Sequence, residues 1–247
     1  MSAQLEHHES DEFWISISDL MSGLMVVFLF IAVAYITNIA VTYEEFQSSL
    51  YDDLYDEFKD DLPRWNAELD RQTLSVRFNE PDVLFDLGES YLKPDFRAIL
   101  DDFFPRYIGV LSRPEYVDEI EEVRIEGHTS SEWVNGTEGL PAYIANMELS
   151  QDRTRSVLAY VMALEGAEEH AAWLSARLTA NGLSSSRLVR DSTGAEDAVR
   201  SRRVEFRVKT DAERRIFDVI ALHGRQTGDG GSGGDGAHGD GAERATP

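Results

Sequence analysis

Phe13 to Ile36 reads FWISISDLMSGLMVVFLFIAVAYI, an almost wholly apolar run that holds a single charged residue, Asp19. About 20 apolar residues suffice to cross a hydrocarbon core as a helix, so the run predicts one transmembrane helix over 13–41. A carboxylate there costs roughly 2.5–3.5 kcal/mol at mid-membrane and less toward an interface, and so calls for a partner. On a helix that starts its count at Asp19, Ser22 and Gly23 lie one turn on, and Val26, Val27 and Phe30 continue the same side. Small residues at that spacing admit a close neighbouring helix, and Ser22 can hydrogen-bond the carboxyl when it is protonated. Leu20, Leu24, Phe28 and Ile31 form the opposite side, which reads as lipid-facing or packed against apolar neighbours. Two readings of Asp19 stay open: an ion-carrying or partner-pairing acid, or a helix-start residue stabilised by the helix dipole.

Ala32-Val33-Ala34 imitates a signal-peptidase site, but Glu6, Glu9, Asp11 and Glu12 stand where a secretory leader carries Lys or Arg. Residues 1–12 therefore read as a short polar tail. No Lys or Arg precedes Lys59, which leaves the positive-inside rule nothing to count. The 247 residues allow one membrane anchor and one ordinary domain. A formal charge of −23 and a pI near 4.5 argue against binding nucleic acid or anionic lipid head groups. With no cysteine, a disulfide framework and a thiolate metal site are both excluded. His7-His8 lacks a third ligand at useful spacing, so no metal site and no cofactor is expected.

Beyond the span, Tyr43, Phe46, Leu50, Leu54, Phe58, Leu62, Trp65 and Leu69 recur at helical steps, with aspartates on the outer face. This predicts an amphipathic helical linker over 42–72, ended or restarted at Pro63. A lone stripe on an acidic helix needs cover, which points to a second copy of the chain, or alternatively to the chain's own domain. Thr73 opens a compact α/β (α+β) domain over 73–222. Leu74–Phe78, Val117–Glu126 and Arg203–Lys209 alternate as strands, and 93–111, 141–164 and 168–180 read as helices on one face of the sheet. The closing TGDGGSGGDGAHGDGAERATP, residues 227–247, is too rich in Gly and Asp to bury itself, so 223–247 reads as a flexible tail.

Four ordered motifs then carry a resemblance: VLFDLGESYLKPDFRAIL from Val83, IEGHTSSEW from Ile125, NMELSQDRTRSVLAYV from Asn146 and RSRRVEFRV from Arg200. Together they resemble OmpA-like peptidoglycan-binding domains. Trp14 with Asp19-Leu20-Met21-Ser22-Gly23-Leu24-Met25 is similar to the N-terminal helix of the MotB family of stator subunits. The short connection to the domain and the GHTSS loop resemble more closely the Zorya anti-phage branch of that family. The resemblance implies that Asp19 carries protons, that two copies sit within a MotA-like pentamer in the bacterial inner membrane, and that the N-terminus is cytoplasmic with the domain periplasmic. It also implies that Arg153 pairs with the diaminopimelate carboxylate of peptidoglycan, with Thr129, Ser130, Asn146 and Leu149 around it. Ser130 stands where most relatives carry aspartate, which weakens the place for a ligand ammonium unless Glu132 substitutes. An ion pair of Arg153 with Asp152 or Glu148 is the alternative for that residue, and Arg202 and Arg203 read as structural. A flagellar stator and a passive wall anchor remain alternatives. His128, beside Thr129 and Ser130, lacks a nucleophile and an orienting partner, so the chain does not read as an enzyme.

Overall fold

The computed structural model describes residues 2–79, 84–133 and 136–210; the 223–247 tail and the side chains of His7 and His8 lie outside the described residues. Helix α1 runs unbroken over Ser2–Phe58, so the 2–12 tail, the apolar span and the start of the linker are one element. At about 1.5 Å per residue it is some 86 Å long. It is the one helix among the described residues long and apolar enough to cross a membrane. It stops at Phe58, five residues before Pro63, as Asp61 and Leu62 both donate from their amides to the Phe58 carbonyl. Turns through Asn66, which takes a left-handed φ of 46°, lead into strand β1, Ala67–Asp70. The apolar repeat expected to extend the helical linker through Trp65 and Leu69 is therefore turn and strand rather than helix. Four strand residues bonded to a neighbour outweigh a local repeat.

Strand β2, Ser75–Asn79, pairs antiparallel with β1. The Asp70 side chain accepts from the amides of Gln72 and Thr73 to close the turn between them. Then come α2, Pro94–Leu111; β3, Ile120–His128; and α3, Gly139–Val161. Short helices α4, Glu165–Glu168, and α5, Ala171–Arg177, precede β4, Leu178–Gly182. A last turn, α6, Ala198–Ser201, leads into β5, Arg203–Thr210. The sheet order is β1-β2-β5-β3-β4, with only β3 and β4 parallel. The α/β architecture is as anticipated, but β1 and β4 were not; β4 takes the last residues of the helix expected over 168–180. Its register, Leu178 opposite Val123 through Gly182 opposite Gly127, supplies the backbone partners that local sequence does not reveal.

One sheet face carries Phe78, Val204, Phe206, Val123 and Ile125, all buried. Against it pack Phe103, Phe104 and Tyr107 of α2, with Phe103 and Phe206 ring centroids 5.1 Å apart. The stripe of α1 joins this same core: Leu50, Leu54 and Phe58 are fully buried, and Phe58 lies 5.2 Å from Phe103. Pairing of this stripe with a second copy is thus corrected, because the chain's own domain covers it. Fully burying one such side chain gains about 1.5–3 kcal/mol over leaving it exposed.

Two glycines set α3 on the sheet. A Cβ on Gly127 would lie 2.7 Å from Thr154 Cγ2 and 3.0 Å from the Ser150 carbonyl oxygen. One on Gly182 would lie 2.3 Å from the Gln151 amide. Only a residue without a side chain lets the Ser150–Thr154 turn sit on the ends of β3 and β4.

Candidate functional site

The two regions singled out by sequence lie in very different surroundings. Asp19 and Ser22 are exposed, as are Val26, Val27 and Phe30 on their side and Leu20, Leu24, Phe28 and Ile31 on the other. Among the described residues neither Asp19 nor Ser22 makes a hydrogen bond or ion pair, and both faces of the span are exposed there.

The second region is a cleft at the end of β3, lined by Leu84, Phe85, Gly127, His128, Ser150, Arg153 and Arg203. Asn146 and Arg153 are seven residues apart on α3, hence on one side of it, and both are buried; Leu149 between them is half-buried. Thr129 and Ser130 continue from β3 and are buried as well. The Asn146 amide donates to the carbonyls of Ser130 and Glu132, both at 3.2 Å, and so fastens the Gly127–Glu132 loop to α3. Thr129 donates from its amide to the Ser184 carbonyl, while its hydroxyl is buried without a partner among the described residues. The Ser131 amide donates to Glu196 at 2.9 Å, and its hydroxyl bonds the same carboxylate. Glu132 is exposed.

Arg153 is 7% exposed, and no carboxylate lies within ion-pair distance of it among the described residues. Asp152, one of the alternative partners, instead pairs with Arg155 at 2.9 Å. The guanidinium donates to the main-chain carbonyls of Glu89, at 2.8 Å, and Asp86, at 3.1 Å, and stands 4.8 Å above the Phe85 ring. That uses two of its five N–H donors. Burial, then the charge of Arg202, pulls its pKa down to about 10.

On the opposite face of the sheet lies a buried charged row that the sequence reading missed. Register places Arg77 opposite Glu205 and Glu205 opposite Glu126, across β2, β5 and β3, with His128 opposite Arg203 on the last rung. Arg203 donates from Nε to Glu205 Oε1 at 2.6 Å and Arg77 does so at 2.9 Å, so Arg203 is structural as anticipated. Burial would raise the Glu205 carboxyl, but Arg203 foremost overrides it and holds the group down at about 2. His128 is pushed down to about 3 by burial and then by the Arg203 charge, so the ring is neutral. The signal was the charged residues at every second position of RIEGH and RRVEF, one side of each strand.

The described residues form a five-stranded α/β domain that continues from one helix long and apolar enough to cross a membrane. The chain belongs to the ZorB family. It is 50% identical over 222 residues to the Zorya protein ZorB of Escherichia coli (strain Crooks), a match that covers 86% of this chain and 94% of that one. No family model matches the sequence. Among solved structures it is similar to a MotB-like protein from Desulfovibrio vulgaris, at 25% identity and TM-score 0.47, over 68% of this chain and 96% of that one. It is also similar to the cell wall anchor of the type VI secretion system of Pseudomonas aeruginosa, at 23% identity and TM-score 0.45, over 64% and 96%. The periplasmic domain of Helicobacter pylori MotB matches at 14% identity and TM-score 0.44, over 66% and 91%.

Proposed function

We propose that the chain is an ion-driven motor subunit of the inner membrane, tethered to the cell wall and acting in anti-phage defence. One observation carries the reading. The buried Arg153 guanidinium, without a carboxylate partner among the described residues, stands in a domain continuous with the helix whose apolar run holds Asp19 as its one charged residue. A guanidinium fork matches a carboxylate in two parallel hydrogen bonds, which supports the diaminopimelate carboxylate of peptidoglycan as its ligand. Thr129, Ser130, Asn146 and Leu149 would build the wall of that site: Asn146 holds the loop, while Thr129 brings an unpartnered hydroxyl.

The motor half is derived from the span. With Asp19 uncovered by the described residues, the partners proposed for its side of α1 are a second copy of the chain and a MotA-like (ZorA-like) pentamer. A proton arriving from the periplasm turns the Asp19 carboxylate from an acceptor into a donor toward Ser22 or a partner helix. Alternating the two states biases relative rotation, and one charge moved through 100 mV supplies about 2.3 kcal/mol. The subunit itself performs no covalent chemistry. The N-terminus lies in the cytoplasm and the domain in the periplasm, where the wall is.

The test is the full complex in sealed vesicles. Asp19→Asn should abolish ion flux and phage protection while leaving membrane insertion and copy number intact; undiminished flux removes the motor. Arg153→Ala should stop pelleting with purified peptidoglycan, and unchanged pelleting leaves the domain without its anchor. A passive anchor would survive Asp19→Asn unharmed, and a flagellar stator would act in swimming rather than protection.

A further inference from the structure

Helix α1 fixes how far the domain stands from the bilayer. The apolar run closes at Val41, and the first charged residue after Asp19 is Glu44. Residues 13–41 rise about 44 Å as helix, the thickness of a bilayer with both head-group layers, so Val41 stands near the outer edge of the lipid. Gln47 follows six residues later, about 9 Å further along the axis. Its side-chain amide donates to the carbonyls of Arg71 and Gln72 at 3.1 and 2.8 Å, which fastens the tip of the β1–β2 turn at that level. Arg71 in turn donates to the Ser48 hydroxyl at 2.9 Å, and Phe46 meets the Tyr116 ring edge-on at 5.6 Å. The fold therefore begins within two helical turns of the span.

Strand direction places the cleft at the other end. β2 and β3 start at the membrane-facing end, at Ser75 and Ile120, and finish at Asn79 and His128. The cleft beside Gly127 and Val204 thus lies at the far edge of the sheet, about 26 Å along β3. At the near edge the exposed charges are Glu44, Glu45, Glu115 and Asp118 against Arg71, while Arg113 is taken up by Asp53. Such an end repels anionic head groups, and a second copy would bring the same acids to it. A gap of about 9 Å is close to the diameter of one helix or loop of protein.

On the motor reading given above, we propose that this end of the domain docks on a Lys- or Arg-bearing periplasmic loop of the membrane subunit that surrounds the span. Opposite charge and the fixed height of the Arg71–Gln72 turn select that partner. The domain then has two working ends, one seated on the partner and one turned toward the wall.

The test uses the full complex purified from cells in which benzoylphenylalanine replaces Gln72, Glu115 or, as a control, Ser192 in the loop at the far edge of the sheet. Illumination should join the Gln72 and Glu115 positions to the larger membrane subunit and leave the Ser192 position unjoined. Reversing the charge with Glu115→Lys and Asp118→Lys together should lower the yield from Gln72 several-fold. An intact complex in which Gln72 and Glu115 join only lipid, only a second copy or nothing overturns the docking and spares the motor reading, as does a yield that charge reversal leaves unchanged. If no second membrane subunit purifies with the unmodified chain, the motor reading falls and the docking with it.

Discussion

Arg106 donates from Nη2 to the main-chain carbonyl of Glu57 at 2.7 Å, so a side chain of α2 closes the C-terminal end of α1. The same guanidinium bonds the carboxylates of Glu57, Asp61 and Asp102, and lies 4.9 Å above the Phe58 ring. Nearer the span, Asp53 accepts from Arg113 and from the Tyr116 hydroxyl. The last turns of α1 are thus part of the domain rather than a tether to it. One continuous helix therefore joins the span to the core of the domain.

Arg106→Ala should cost about 1.5–3 kcal/mol in urea unfolding, the usual range for hydrogen bonds to charged groups. Arg106→Lys should recover only a part, since an ammonium cannot reach the Glu57 carbonyl and three carboxylates with one planar fork. Full recovery by lysine would show that charge alone matters there.

Leu54→Ala should destabilise the domain by roughly 2–5 kcal/mol, because the side chain is fully buried in the core. It should leave the number of copies in the complex unchanged by native mass spectrometry. Loss of a copy would mean that the stripe is an interface between chains after all.

Gly127→Ala should lower stability by about 1–3 kcal/mol, since its Cβ meets Thr154 and the Ser150 carbonyl at 2.7 and 3.0 Å. The variant should also lose wall binding in a pelleting assay, because α3 carries Arg153. Gly182→Ala should be worse, since the clash at 2.3 Å is with backbone that cannot turn aside.

Stability should fall with acid in two overlapping windows. His128 is neutral when folded, down to about 3, but takes up a proton below about 6.5 when unfolded, so the unfolded state binds more protons between those values. Glu205, held at about 2 when folded against an ordinary 4.5, adds the same sign between about 4.5 and 2. Each group contributes a slope of at most about 1.4 kcal/mol per pH unit. His128→Gln should flatten the profile between pH 6.5 and 5 and leave the lower window; urea midpoints at pH 7, 6 and 5 measure it.

Four glycines inserted after Val41 should leave the domain folded and the complex assembled. Phage protection should drop, because α1 would no longer pass a twist from Asp19 to the domain. Undiminished protection would show that the stiffness of the helix is dispensable.

Much of this molecule is written locally. An apolar run with one carboxylate is membrane-length whatever surrounds it, and strands such as LSVRF and RVEFRVK alternate strongly enough to be read alone. Three features needed the folded chain. The stripe Leu50-Leu54-Phe58 shows that something apolar must cover it but not what, and the sheet-packed α2 turned out to be the cover. Strands β1 and β4 exist through bonds to partners, and four or five residues carry too little pattern to announce them. The row Arg77-Glu205-Glu126 joins residues far apart in the chain through strand register alone, with His128 buried at its end. Periodicity depends on near neighbours, whereas burial and charge pairing depend on which distant segments come together.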